Sequence, residues 1–324
     1  MTLPYGFRIL GPIWERRRLV DADAAFLAYA ACDPRADVGQ EAYLSAFCFG
    51  GDFRQLLEST GSTKGFTGSC WAPWLWFDID RDVPDVALAD ARRLTTFILA
   101  RYASLDDDDL LLFYSGSKGF HVGVPTLLWE PAPSMIFHCV SRQFAERIGE
   151  QAGVTIDIGV YDRVRAFRAP NSRHPKTGRH KRRLPLDVLL GMSLDGILHL
   201  AEKPDPFDMP APLGKDPQAA ADWLDAEQWV RGREEVKAQR HAGVNGTPTL
   251  NRLTLDFIRD GAATGDRHRL LFSAAANLAE FGCPPTLAHA LLTEAALDTG
   301  LPPADVCRQI ECGLAHKKET NPHD

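Results

Sequence analysis

Trp74-Leu75-Trp76-Phe77-Asp78-Ile79-Asp80 is the stretch on which the rest of the chain is anchored. It is short, apolar and rich in aromatic residues, the signature of a half-buried or buried β-strand, and it ends in two aspartates. Side chains alternate along a strand, so Asp78 and Asp80 project from one face. Two carboxylates a few ångströms apart cannot easily both ionise without a counter-cation. Their hard oxygens suit Mg²⁺ or Mn²⁺. The spacing alone is equally compatible with two solvated aspartates in a turn.

Outward from this strand the pattern stays regular. Residues 84–102 predict a helix, with Leu88, Ala91, Leu94, Ile98 and Leu99 near helical spacing. The acidic run 106–109 predicts a turn. Strands are expected over 110–114 and 120–125, joined by Ser115-Gly116-Ser117-Lys118-Gly119. A helix over 134–152 and a fourth strand over 154–161 follow, with a further strand over 184–190. The first seventy residues carry weaker signals: helices over 21–32 and 41–49, then a Gly/Ser/Thr loop over 61–69. That loop resembles a phosphate loop but lacks the G-K-[ST] ending, and it is read as surface, with Lys64 as a template or nucleotide contact.

A Pro-rich segment from Lys203 to Pro217 marks a boundary. Beyond a polar helix and a linker over 241–248, helices are expected over 250–260, 265–281, 285–299 and 303–316. Gly282 and Gly300 stand at helix ends, and Pro284-Pro285 and Pro302-Pro303 at the next starts. The expected class is α+β: an α/β-type catalytic domain over 1–202 with a small mixed or antiparallel sheet flanked by helices. A Pro-rich and polar linker with a helix occupies 203–248, and a small all-α domain 249–324.

Four elements in order carry the chemistry. Asp78 and Asp80 come first. In the 115–119 turn, free backbone N–H groups, the hydroxyls of Ser115 and Ser117 and the Lys118 ammonium can cradle phosphate, with His121 on the outgoing strand able to donate to a triphosphate. Asp157 supplies a third acid. From Arg163 to Arg183 there are nine Lys or Arg and no acid. In a chain of net charge −7, such an island is a local anion site rather than general affinity for nucleic acid. Three carboxylates for two metal ions and a positive cradle form the minimal set for in-line attack on an α-phosphate.

The order hydrophobic-Asp-x-Asp, S-G-x-K-G-x-H, hydrophobic-Asp and S-x-H-P-K-T-G-R resembles the catalytic subunit of archaeo-eukaryotic primases and the related primase-polymerases. The resemblance covers roughly Trp74 to Asp187, and Ser172-Arg173-His174-Pro175-Lys176-Thr177-Gly178-Arg179 is its most specific part. It implies a template-dependent nucleotidyltransferase using two Mg²⁺ or Mn²⁺ ions on Asp78, Asp80 and Asp157. It further implies nucleotide contacts at Ser115, Ser117, Lys118, His121, Arg168, Ser172, His174 and Lys176. Single-stranded DNA and nucleoside triphosphates are the implied partners. The segment Thr264-Gly265-Asp266-Arg267-His268-Arg269-Leu270 resembles the helical domain of plasmid and phage members, which makes Arg267 and His268 initiation contacts. Relatives commonly carry two basic residues where this chain has Ser117-Lys118.

Two other functions fit less well. A repair or bypass polymerase of the same superfamily usually lacks H-P-K-T-G-R. A non-catalytic origin-binding protein has no need of three aspartates. No Walker-type motif is present, so any helicase is a separate chain. The seven cysteines show no C-x-x-C pair, so reduced thiols are expected, with a zinc site through Cys32, Cys48 and Cys70 as the alternative. No apolar run approaches the roughly 18 residues of a membrane span. No basic-then-apolar leader opens the sequence, and a cytoplasmic location is expected.

Overall fold

The structure, a computed structural model, describes residues 3–211, 214–242, 250–263 and 265–316, the side chains of 237–242 excepted. Most of the expected 241–248 linker, and Thr264, lie outside the described residues. The chain divides into two compact units, Met1–Glu234 and Glu235–Asp324.

The first unit builds an α+β architecture on two antiparallel sheets. One contains β1 (Tyr5–Leu10), β2 (Arg18–Asp21), β3 (Ala42–Ser45), β4 (Cys48–Phe49), β5 (Cys70–Trp71) and β9 (Ala166–Arg168). Its order is β5-β4-β1-β3-β9, with β2 also paired to β1. The other has the order β10-β7-β8-β6, from β6 (Trp74–Asp80), β7 (Leu111–Tyr114), β8 (Gly119–Pro125) and β10 (Arg182–Arg183). Helices α1 (Ala22–Ala30), α2 (Gly51–Thr60), α3 (Pro84–Arg101), α4 (Phe137–Ala152), α5 (Leu186–Gly191), α6 (Leu194–Leu200) and α7 (Pro217–Ala242) surround them.

β6 and β8 pair from Trp74↔Pro125 to Asp80↔Gly119. On one face of β6, Leu75, Phe77 and Ile79 are buried in the core that also holds Leu88, Leu94 and Ile98 of α3. A slip of one residue would drive the aspartates into that core, so the apolar pattern itself holds the register. α3 starts with Pro84 in its first turn, where the missing N–H has no helical partner to lose. The first half of α7 belongs to the same core. Its Trp223 stacks on Trp129 at 5.5 Å and meets Phe137 at 5.3 Å.

Three expectations are corrected. Residues 41–49 are β3 and β4, not a helix. Ala42 and Leu44 are buried while Tyr43 and Ser45 are half-buried, and pairing to β1 and β9 takes up the backbone groups. Residues 154–161 form no strand. Val154, Ile156 and Val160 are buried, but the segment ends in a 3₁₀ turn, Ile158–Tyr161, capped by Asp157. Finally, 184–190 is mostly α5: only Arg182–Arg183 pair with β7, and Pro185, which has no N–H to give a ladder, stands at the helix N-cap.

The second unit holds α8 (Arg252–Asp260), α9 (Arg267–Glu280), α10 (Pro285–Asp298) and α11 (Pro303–Ala315), close to the expected positions. Phe257, Leu271, Leu278, Leu292, Val306 and Ile310 are fully or almost fully buried between them. No described helix is long and apolar enough to cross a membrane.

Candidate active site

β6 carries its residues from an aromatic floor out to solvent. Trp74, Trp76, Asp78 and Asp80 share one face by alternation. Trp76 is 7% exposed, the side chain of Asp78 20% and that of Asp80 46%. Trp76 can lie where it does only because Gly123 is opposite: a Cβ there would sit 2.5 Å from the indole ring. Trp74 and Trp76 also help to wall a cavity of about 320 Å³ with Phe7, Phe26 and Leu44.

Asp157 reaches this strand from a loop. Its backbone N–H donates to the Asp78 carbonyl at 2.8 Å, and Arg81 donates to the Thr155 carbonyl nearby. One Asp157 oxygen accepts from Gly159 N–H at 2.8 Å. Burial, and then the charges of Asp157 and Asp80, push the pKa of Asp78 up to about 7. A hard divalent cation relieves both effects at once, so the donor set fits Mg²⁺ or Mn²⁺. The three acids do not form a closed cluster with one oxygen of each within 4.8 Å of the others.

His121 pairs with Asp78 across β6 and β8. Its Nε2 lies 3.4 Å from an Asp78 oxygen, and its ring packs at a tilt against Phe167 of β9, 4.4 Å between centroids. Burial, reinforced by the Lys181 and Arg168 charges, holds its pKa well below the ordinary value, so the imidazole is neutral. Its Nδ1 is buried without a hydrogen-bond partner.

Lys181, which the sequence reading does not single out, is fully buried beside them. Its ammonium donates to the Arg168 carbonyl at 2.9 Å and lies over the rings of Phe167 at 4.2 Å, Phe113 at 4.8 Å and Trp76 at 5.0 Å. Burial pushes its pKa well below the ordinary lysine value, against the pull of Asp78. Arg168 donates from Nη2 to Tyr43 Oη at 3.1 Å and faces Glu41 at 3.5 Å. Its Nη1 is buried and unpaired. Tyr43 and Glu41 are likewise unmarked by the sequence. Lys181 is one of nine basic residues in its island, and no local signal separates it from the solvated ones.

The 115–119 turn and the 172–179 loop pack together. Gly116 has φ +93° and a Cβ there would meet His174 at 3.2 Å, while the Thr177 hydroxyl donates to the Gly116 carbonyl. Ser115 Oγ accepts the N–H groups of Gly119 and Ser117 at 3.2 and 3.4 Å, bracing the turn. Lys118 is partly exposed and reaches Asp82 at 3.3 Å and Asp80 at 3.6 Å. Ser172 is fully buried and donates to the Ala169 carbonyl at 2.8 Å. His174 is half-buried, its pKa lowered first by burial and then by Arg168, and Lys176 is exposed. The site is thus a chain of neighbours: Asp157, Asp80, His121 and Lys181 lie near Asp78, Arg168 lies near His121 and His174, and Lys118 reaches Asp80. Ser115 and Ser172 serve as braces in it.

Other expected residues lie elsewhere. Lys64 is exposed in its loop. Cys48 and Cys70 sit on paired strands, and the Cys70 sulfur is 4.0 Å from His138 Nδ1. Among the described residues, Cys32, Cys48 and Cys70 form no three-ligand grouping with a histidine. In the helical unit, Arg267 donates to the Thr299 carbonyl at 2.8 Å, and His268 lies 3.8 Å from Asp305.

No protein-family model matches the chain, and no curated protein matches it. Among solved structures, one described as the crystal structure of primase RepB' aligns over 99% of this chain and 91% of that one. The sequence identity is 13% and the TM-score 0.36.

Proposed function

We propose that the first unit is a template-dependent nucleotidyltransferase, a DNA primase or primase-polymerase that makes or extends primers on single-stranded DNA. The observation that carries the proposal is Asp78. Burial and two other carboxylates push its pKa up to about 7, and buried nitrogens of His121 and Arg168 without a hydrogen-bond partner lie close by. Burying acid and base side by side without closing their hydrogen bonds is costly unless a charged ligand completes them.

Two Mg²⁺ or Mn²⁺ ions held by Asp78, Asp80 and Asp157 would activate the attacking hydroxyl and neutralise charge developing at the α-phosphate. The chain's own residues supply the rest. Arg168 and Lys181 place positive charge against a triphosphate in a site with little water, where it counts for more than at the surface. Neutral His121 offers a hydrogen bond without adding charge. Lys118, paired with exposed acids, is free to exchange Asp82 for a phosphate oxygen. Ser117 adds a hydroxyl at the turn, and His174 and Lys176 extend the cradle along the loop. Ser115 and Ser172 hold the backbone in place around it. Arg267 and His268 of the helical unit are assigned to chain initiation, Arg267 by exchanging its Thr299 contact for phosphate. A separate helicase would expose the template.

The test is incorporation of labelled nucleotides on single-stranded DNA with Mg²⁺ or Mn²⁺, with and without primer, using ribo- and deoxyribonucleoside triphosphates in parallel. Template- and metal-dependent products are expected. Absence of product under all these conditions would overturn the assignment. Cutting the chain after Arg240 tests the initiation role: loss of unprimed synthesis with extension retained supports it, and equal loss of both refutes it.

A further inference from the structure

The helical unit contains a second, chemically different grouping of ligands. Cys307 and Glu311 are one turn apart on α11, and such i, i+4 residues lie on one face. The Cys307 sulfur donates to Glu311 Oε1 at 3.4 Å. His289, on α10, faces them. One ligand atom from each of His289, Cys307 and Glu311 lies within 4.8 Å of the other two. The neighbouring residues Ala288, Val306 and Ile310 are buried in the bundle, so the backbone beneath the three is fixed. Cys307 and Glu311 themselves are exposed and His289 is half-buried, so an ion could reach them from solvent.

We propose that His289, Cys307 and Glu311 bind a divalent cation of the zinc class, clamping α10 to α11. The proposal is independent of nucleotidyl transfer. One nitrogen, one sulfur and one oxygen make a borderline-soft set. Mg²⁺ and Ca²⁺ prefer oxygen throughout and gain little from a thiol. Zinc bonds of about 2.0–2.3 Å place tetrahedral ligand atoms roughly 3.5 Å apart. The ligand atoms now lie within 4.8 Å of one another, so a bound ion draws them together by about 1 Å. Three protein ligands leave the fourth position to water. The thiol must lose its proton on binding, so affinity rises with pH.

The experiment titrates the full chain with Co²⁺ in excess Mg²⁺, which occupies all-oxygen sites. The expected signals are a thiolate-to-cobalt charge-transfer band and intense visible bands of four-coordinate cobalt, saturating at one ion per chain and displaced by Zn²⁺. Cys307→Ser should abolish the charge-transfer band, whereas Cys283→Ser and Cys312→Ser should keep it. His289→Gln and Glu311→Gln should each weaken binding at least about tenfold, the loss seen when even the partners of metal ligands are removed. Far-ultraviolet circular dichroism checks that each variant remains helical. Zn²⁺ should also raise the melting temperature of the wild type and not of Cys307→Ser. No band at stoichiometric Co²⁺, or a band that survives Cys307→Ser, would overturn the proposal.

Discussion

Two regions of the first unit bury charge, and they treat it in opposite ways. Between α3 and α7, Arg101 donates to both oxygens of Asp222 at 2.6 and 2.7 Å, and Tyr102 and Gln218 each add a bond at 2.9 Å. Neighbouring Asp216 accepts the N–H groups of Ser104 and Ala219. Beneath β6, by contrast, His121 Nδ1 and Arg168 Nη1 are buried and unpaired, and Lys181 has one carbonyl and three aromatic rings for company. An unpaired buried donor or acceptor costs about 1–3 kcal/mol. The seam between the helices is closed and serves stability, while the floor under Asp78 is held open at a cost that a ligand would offset under the proposed function.

That contrast can be broken most directly at the acids. Asp78→Asn and Asp80→Asn should each lower nucleotide incorporation by at least about a thousandfold, some 4 kcal/mol on the barrier, because each removes a proposed metal ligand. The same variants should melt no lower than the wild type, since a repelling carboxylate is gone. Lowered melting with activity retained would reverse the reading of that floor. Lys181→Met is the next strongest probe. Replacing a buried charge with an apolar side chain of similar length should leave stability equal or higher, yet incorporation should drop about a hundredfold, the loss typical of a missing electrostatic contact in a dry site. A variant that unfolds would instead make Lys181 part of the scaffold.

At the closed seam the signs should invert. Asp222→Asn should cost about 2 kcal/mol of stability, discounted for partial exposure from the 3–5 kcal/mol of a fully buried broken pair. Activity per folded molecule should not change. A denaturant titration beside the incorporation assay decides this. The seam also predicts a pH dependence. Burial alone would raise the pKa of Asp222, but hydrogen bonds from Arg101, Gln218 and Tyr102 outweigh it and hold it below the ordinary value. The group contributes stability above the unfolded value of about 4, and that stability is lost as pH falls through the lower folded value. In Asp222→Asn the fall in stability below pH 4 should be shallower than in the wild type.

The smallest effect is expected at His121. His121→Ala should weaken triphosphate binding about tenfold while leaving template binding unchanged, as gel-shift and nucleotide-competition measurements would show. Comparable loss of both, or a collapse of the melting transition, would make it a packing residue against Phe167.

The strand 74–80, the long helix after it and the four-helix tail are written locally. Alternation over seven residues, helical spacing over 84–102, and Pro and Gly at helix ends each carry their signal within one element. The carboxylate pair could be inferred on the same basis, since alternation places both acids on one face wherever the strand lies. The first sheet could not. Its strands are two to six residues long, and their partners are remote: Tyr43 pairs with Arg168, which follows β6, β7 and β8 in sequence. In 41–49 a run of Ala, Tyr, Leu and Phe suits a helix as well as a strand, and only pairing with β1 and β9 decides between them. In 154–161 the apolar alternation serves burial without a ladder, because Asp157 caps a turn instead. Lys181 shows the limit most clearly. Its charge is visible in the sequence, but its burial comes from Trp76, Phe113 and Phe167, three strands that meet only when the two sheets close on each other, and no local pattern encodes that meeting.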